Sequence, residues 1–114
     1  AGMGERWQHS LVVTVTEFGR TAAENGTTGT DHGVGTCAFL AGGLVTESKV
    51  YADWRGLNKQ NLFEERDLPA SIDINAVYAK VIERSLRLSA SQITQGGVLD
   101  FKSHPALKGL LGLS

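Results

Sequence analysis

Leu11-Val12-Val13-Thr14-Val15 runs directly into Thr16-Glu17-Phe18-Gly19-Arg20, and the architecture turns on this junction. The first five residues are apolar or β-branched, and the succession Leu11-Val12-Val13 has no polar alternation. Such a run predicts a strand covered on both faces, as in a parallel sheet, rather than one with a wet side. Glu17 then stands just past the C-terminal end of that strand, where open α/β sheets present their ligand-binding groups.

Downstream, Arg20 to Gly35 is rich in glycine and threonine and contains the pair Asn25-Gly26. This composition excludes long regular structure, although Thr21-Ala22-Ala23-Glu24 has room for one helical turn. A second apolar run, Cys37-Ala38-Phe39-Leu40-Ala41, ends at Gly42-Gly43 and predicts a second strand. A polar loop of this length between two buried strands is longer than a simple connection requires, and long ordered loops tend to carry function.

Further along, Lys49-Val50-Tyr51 predicts a short third strand, and Asp53 to Leu57 a turn that anchors Trp54 against the core. Residues 58–68 are charged and irregular, with Phe63 as their apolar anchor, and Pro69 marks a boundary. Ile74, Val77, Tyr78, Val81, Ile82 and Leu86 recur at helical spacing and define one side of an amphipathic helix. Asp73 or Ser71 caps its start, while Asn75, Lys80, Glu83, Arg84 and Arg87 form the solvated side. Residues 89–103 read as a polar connection, Pro105 to Leu111 as one or two helical turns, and residues 1–9 as a short helical lead-in. The expected fold is α/β: a small, mainly parallel sheet with one long amphipathic helix, in a single domain over residues 1–114 with a core at 8–88 and a C-terminal extension at 89–114.

A chain of 114 residues supports one modest core. Eleven basic residues balance twelve acidic ones without any concentrated basic patch, so nucleic acid is not expected as a partner. The longest apolar stretch, Cys37 to Val45, is far short of the roughly 20 residues that cross a bilayer, so no membrane association is expected. Ala1 to Arg6 has no basic region followed by an apolar segment, and no export signal is expected within these residues. Cys37, the sole cysteine, reads as a small buried hydrophobe, and it leaves the redox compartment open. Parallel strands need cover on both faces, and one confident helix does not provide it; a homo-oligomer is therefore expected.

Glu17, Asp31 and His32 offer two carboxylates and an imidazole, donor types that divalent metals such as Zn, Mn or Ca accept. Gly29, Gly33 and Gly35 give the backbone freedom to gather them. Arg20 is placed to grip an anionic substrate bidentately. Each has a plainer reading: Asp31 bonding its own turn, and Glu17 pairing with Arg20 to pin the loop. His9 and His104 have no patterned neighbours. No Gly-x-Ser-x-Gly elbow, phosphate loop or dinucleotide fingerprint is present.

The succession Val-Thr-Glu-Phe-Gly-Arg-Thr (15–21), Glu-Asn-Gly (24–26), Gly-Thr-Asp-His-Gly (29–33), Gly-Gly (42–43), Val-Tyr-Ala-Asp-Trp (50–54) and Arg-Asp-Leu-Pro (66–69) resembles the C-terminal part of the bacterial family DUF1501 over residues 8–88. The resemblance implies an alkaline phosphatase and sulfatase superfamily fold and a periplasmic or exported parent. It places Glu17-Phe18-Gly19 where the superfamily has a metal-binding Asp-His-Gly, and His32 where a later histidine completes the site. Glu17 thus replaces an aspartate, and Phe18 replaces a histidine with a ring that cannot bind metal. The superfamily's nucleophile belongs to an N-terminal half with no counterpart in these residues. The chain therefore reads as a fragment or truncated homologue that is not catalytic in isolation. The alternative is that it forms part of a metal-dependent phosphate or sulfate ester hydrolase site, completed by an N-terminal half or another chain.

Overall fold

The computed structural model describes residues 2–113. Four short strands, β1 (Val12–Thr14), β2 (Gly19–Arg20), β3 (His32–Gly33) and β4 (Phe39–Ala41), precede two helices, α1 (Ile74–Leu86) and α2 (Ala90–Gln95). Short 3-10 turns lie at Gly4–His9, Lys59–Asn61, Pro105–Leu107 and Leu110–Gly112. The strands form two separate two-stranded sheets, β1 with β4 and β2 with β3, and both are antiparallel.

This corrects the expected mainly parallel sheet with one long helix, in the manner of the alkaline phosphatase fold. A parallel pair needs a crossover of a dozen or more residues, usually helical. The chain between β1 and β4 contains no helix; it folds back on itself as the β2–β3 hairpin. Nor is β1 buried on both faces, since Val12 and Thr14 are exposed and Val13 is half-buried. Lys49-Val50-Tyr51 forms no strand, and Thr21 to Glu24 forms no helical turn. Cys37 is exposed rather than buried. Trp54 and Phe63, expected as anchors, expose 64% and 51% of their surface.

The contacts divide the chain into two compact units. One consists of the residues up to Val13, Leu40–Ala52, and those from Ile72 onward. Its core gathers Ala76 of α1 with Leu107, Leu110 and Leu111, flanked by Leu40, Val45, Val77 and Phe101. The helix at 74–86 forms as its periodicity predicts, and Asp73 caps it by accepting from the Asn75 amide at 2.9 Å. The other oxygen of Asp73 accepts from the Lys102 amide at 3.1 Å, which ties the later chain to the start of the helix. The fully buried side of α1 is Ala76 and Ala79, while Ile74 and Leu86 are largely exposed. Alanines permit the closest approach of a neighbouring segment, and the buried face is rotated toward them.

Residues 89–103 are not merely a polar connection. Ser89 and Gln92 form a reciprocal capping box at the start of α2, and Ile93 is completely buried. The turns at Pro105–Leu107 and Leu110–Gly112 match the expectation for that region. Among the described residues, no helix is long and apolar enough to cross a membrane.

The second unit, Thr14–Phe39 with Asp53–Ser71, holds the β2–β3 hairpin and every residue singled out at Glu17, Arg20, Asp31 and His32.

Candidate functional site

β2 and β3 pair with Gly19 opposite Gly33 and Arg20 opposite His32. Side chains alternate across a strand, so the hairpin has one face made of glycine and another made of chemistry. On the glycine face the backbone packs without clearance. A Cβ on Gly19 would lie 1.6 Å from the Gly35 carbonyl oxygen, and one on Gly33 would lie 2.5 Å from the Asp67 carboxylate. Both glycines are required for close approach, and both are buried.

The other face presents Phe18, Arg20 and His32, all exposed. The imidazole of His32 stacks on the Phe18 ring, with centroids 3.6 Å apart and planes inclined by 20°. The Arg20 guanidinium carbon lies 5.4 Å from the centroid of the same ring, within the range of a cation–π contact. Arg20 Nη1 also donates to the Thr30 carbonyl at 3.1 Å, which takes one of the five guanidinium donors. The result is a cation and an imidazole held side by side against one aromatic ring.

The loop that joins the strands is closed by Asn25. Its Oδ1 accepts from the Thr27 amide, the Thr27 hydroxyl and the Gly29 amide at 2.9–3.0 Å, and its own amide donates to the Gly29 carbonyl at 2.8 Å. An asparagine in this role substitutes side-chain acceptors for a backbone turn. Asn25 Nδ2 then donates to Asp31 Oδ1 at 3.0 Å, and Arg66 Nη2 pairs with Asp31 Oδ2 at 3.2 Å.

Of the four residues that the sequence singled out, Arg20 and His32 are brought together across the ladder. Asp31 is next to His32 in sequence, but its carboxylate is held by Asn25 and Arg66. Glu17 is exposed, and Arg20 is engaged by the Thr30 carbonyl and the Phe18 ring. Glu17, Asp31 and His32 have the donor chemistry for a divalent metal; the Asp31 carboxylate is paired with Arg66, and the His32 ring is stacked on Phe18. Among the described residues, no group of three or more His, Cys, Asp and Glu side chains is placed to hold a metal ion.

Sequence reasoning did not single out Asn25, Arg66 and Asp67 as parts of this site. Arg66 and Asp67 lie in the Arg-Asp-Leu-Pro stretch, and only the fold brings them to the hairpin. The Arg66 carbonyl accepts from the Ala22 and Ala23 amides at 2.8 and 3.1 Å. Asp67 is buried, and its Oδ2 accepts from the Val34 amide.

No curated protein and no solved structure matches the chain. The family described as "Protein of unknown function (DUF1501)" matches residues 1–96, most of the sequence. With that match on the same segments that build the hairpin, the chain belongs to the DUF1501 family.

Proposed function

We propose that this chain supplies an anion-recognition hairpin to an alkaline phosphatase or sulfatase-like centre that acts on phosphate or sulfate esters. The observation that carries the reading is the pairing of Arg20 with His32 on the exposed face of the hairpin, both braced by Phe18. A guanidinium offers paired N–H donors in the geometry that a tetrahedral oxyanion accepts, and an imidazole N–H adds a donor from the neighbouring strand. Asp31, the nearest carboxylate in sequence, is neutralised by Arg66, so it does not repel an approaching anion.

In this reading the hairpin binds and orients the ester, while the nucleophile comes from another segment of a longer protein or from another chain. Residues 1–114 bind the anion without turning it over. The resemblance of Glu17-Phe18-Gly19 and His32 to the metal-binding motifs of the superfamily supports the assignment to ester chemistry, with Phe18 serving as a brace where that pattern has a histidine.

Titration of inorganic phosphate and sulfate into the isotopically labelled chain, followed by NMR, tests the proposal. The expected result is saturable movement of the His32 ring and Arg20 side-chain signals, with affinity reduced about tenfold or more in Arg20→Gln, a loss of about 1.4 kcal/mol. Identical titration curves for the wild type and Arg20→Gln would overturn it.

As a partner we propose a second copy of the chain. A sheet of only two strands, β1 and β4, has two edges, and Phe39 within it is 68% exposed; edges and apolar surface of this kind invite pairing with another chain.

A further inference from the structure

Asp67 is 4% exposed, and its Oδ1 is buried without a hydrogen-bond partner among the described residues. A carboxylate oxygen in that position costs stability, so packing alone does not account for an aspartate there. Its Oδ2 accepts from the Val34 amide, and the carboxylate presses against Gly33, where a Cβ would come within 2.5 Å of it. Gly33 and Val34 directly follow His32. The carboxylate therefore braces β3 from the glycine face at the point where His32 is displayed on the other.

The way Asp67 is delivered points in the same direction. Phe63 and Asp67 exchange backbone hydrogen bonds at 2.7 and 3.1 Å, closing a turn in which Glu64 and Glu65 both have positive φ, 52° and 60°. Two successive non-glycine residues in the left-handed region are unfavourable, and such strain persists where the surroundings over-determine it. A strained turn and an unsatisfied oxygen meet at one residue behind the hairpin.

We infer that Asp67 is a positioning residue, which fixes β3 through the Val34 amide so that His32 stays stacked on Phe18 beside Arg20. Its bearing on anion affinity rests on the function proposed above; its bearing on the stack does not.

The test uses the full chain and two readouts. The first is the upfield displacement that the Phe18 ring current imposes on the His32 ring protons; the second is the affinity for inorganic phosphate. In Asp67→Ala the displacement is lost and phosphate binding weakens about three- to tenfold. In Asp67→Asn, whose carboxamide oxygen still accepts from Val34, the displacement is retained. An Asp67→Ala chain that is folded and keeps the displaced His32 signals overturns the inference. A measurement on the wild type stands even where Asp67→Ala does not fold: the Val34 amide hydrogen exchanges slowly, and exchange at the rate of an unprotected amide overturns the inference. Absence of phosphate binding in the wild type, with the displacement still lost in Asp67→Ala, overturns the anion reading and supports the positioning role.

Discussion

The imidazole of His32 lies on the ring of Phe18 at 3.6 Å between centroids, and this stack joins a residue before β2 to one within β3. Phe18 is 38% exposed, so the contact is read by solvent and by any ligand that reaches Arg20. Replacing it with Leu keeps apolar area but removes the aromatic partner of both His32 and Arg20. The expected loss of stability is about 0.5 kcal/mol, the low end for an aromatic pair because the site is wet. Chemical denaturation of Phe18→Leu measures it, and the His32 ring signals should move toward those of an unstacked histidine.

The glycine face yields a ranking. At Gly19 a Cβ meets a backbone carbonyl at 1.6 Å, whereas at Gly33 it meets the end of the Asp67 side chain at 2.5 Å. Gly19→Ala should therefore be the worse substitution, at or above the roughly 1–3 kcal/mol typical of overpacking, and Gly33→Ala should fall within that range. Gly26→Ala is the control, because nothing lies within 4 Å of its Cβ position. Urea unfolding of the three variants should give that order.

The turn behind the site can be relaxed. Glu64 and Glu65 occupy the left-handed region, which costs an ordinary residue roughly 1–2 kcal/mol and an asparagine less. Glu64→Asn should raise stability by about 0.5 kcal/mol while leaving the His32 signals in place. A drop in the thermal midpoint would contradict the assigned strain.

Alkaline pH acts elsewhere, on the unit built around α1. Burial, and then the hydrogen bond and charge of Glu47, hold the Tyr51 hydroxyl above its ordinary value of 10.0; the hydroxyl donates to Glu47 Oε1 at 3.1 Å. A group whose folded pKa is raised contributes stability that is complete below its unfolded pKa and is lost as pH rises through the folded value. Unfolding free energy should therefore fall above about pH 10 in the wild type, and Tyr51→Phe should show a shallower decline over the same window.

Self-association is expected through the β1–β4 sheet, where Phe39 and Val12 are exposed. Light scattering across a concentration series should show mass rising above that of one chain. Phe39→Ser should shift the equilibrium toward the monomer, and a wild type that is monomeric throughout would contradict the proposed partner.

The amphipathic helix at 74–86 was legible because its apolar period and its Asp73 cap are both local signals. The convergence expected from the sequence was of Glu17, Asp31 and His32; the register that sets Arg20 opposite His32 was not legible in it, because a pairing across two strands leaves no local signal. Strand direction was not legible: Leu11-Val12-Val13 announces an apolar strand but says nothing of which strand pairs with it or from which end. Helix α2 was hidden because a capping box in a polar stretch, Ser89 to Gln92, is a weak signal until Ile93 is seen to be buried. Asp67 was hidden for a different reason. It sits in a run of charges, Glu64-Glu65-Arg66-Asp67, and only the chain's return past Gly33 separates a buried carboxylate from its solvated neighbours.

The glycine backing of β2 and β3 bears on which positions tolerate substitution. Because the inward side of the hairpin is all main chain, its fit depends on nothing that projects outward. Phe18, Arg20 and His32 can be exchanged for other residues without disturbing the seam beneath them. The hairpin is thus a mounting plate: a change at Phe18, Arg20 or His32 alters what it displays and leaves the Gly19–Gly33 seam in place.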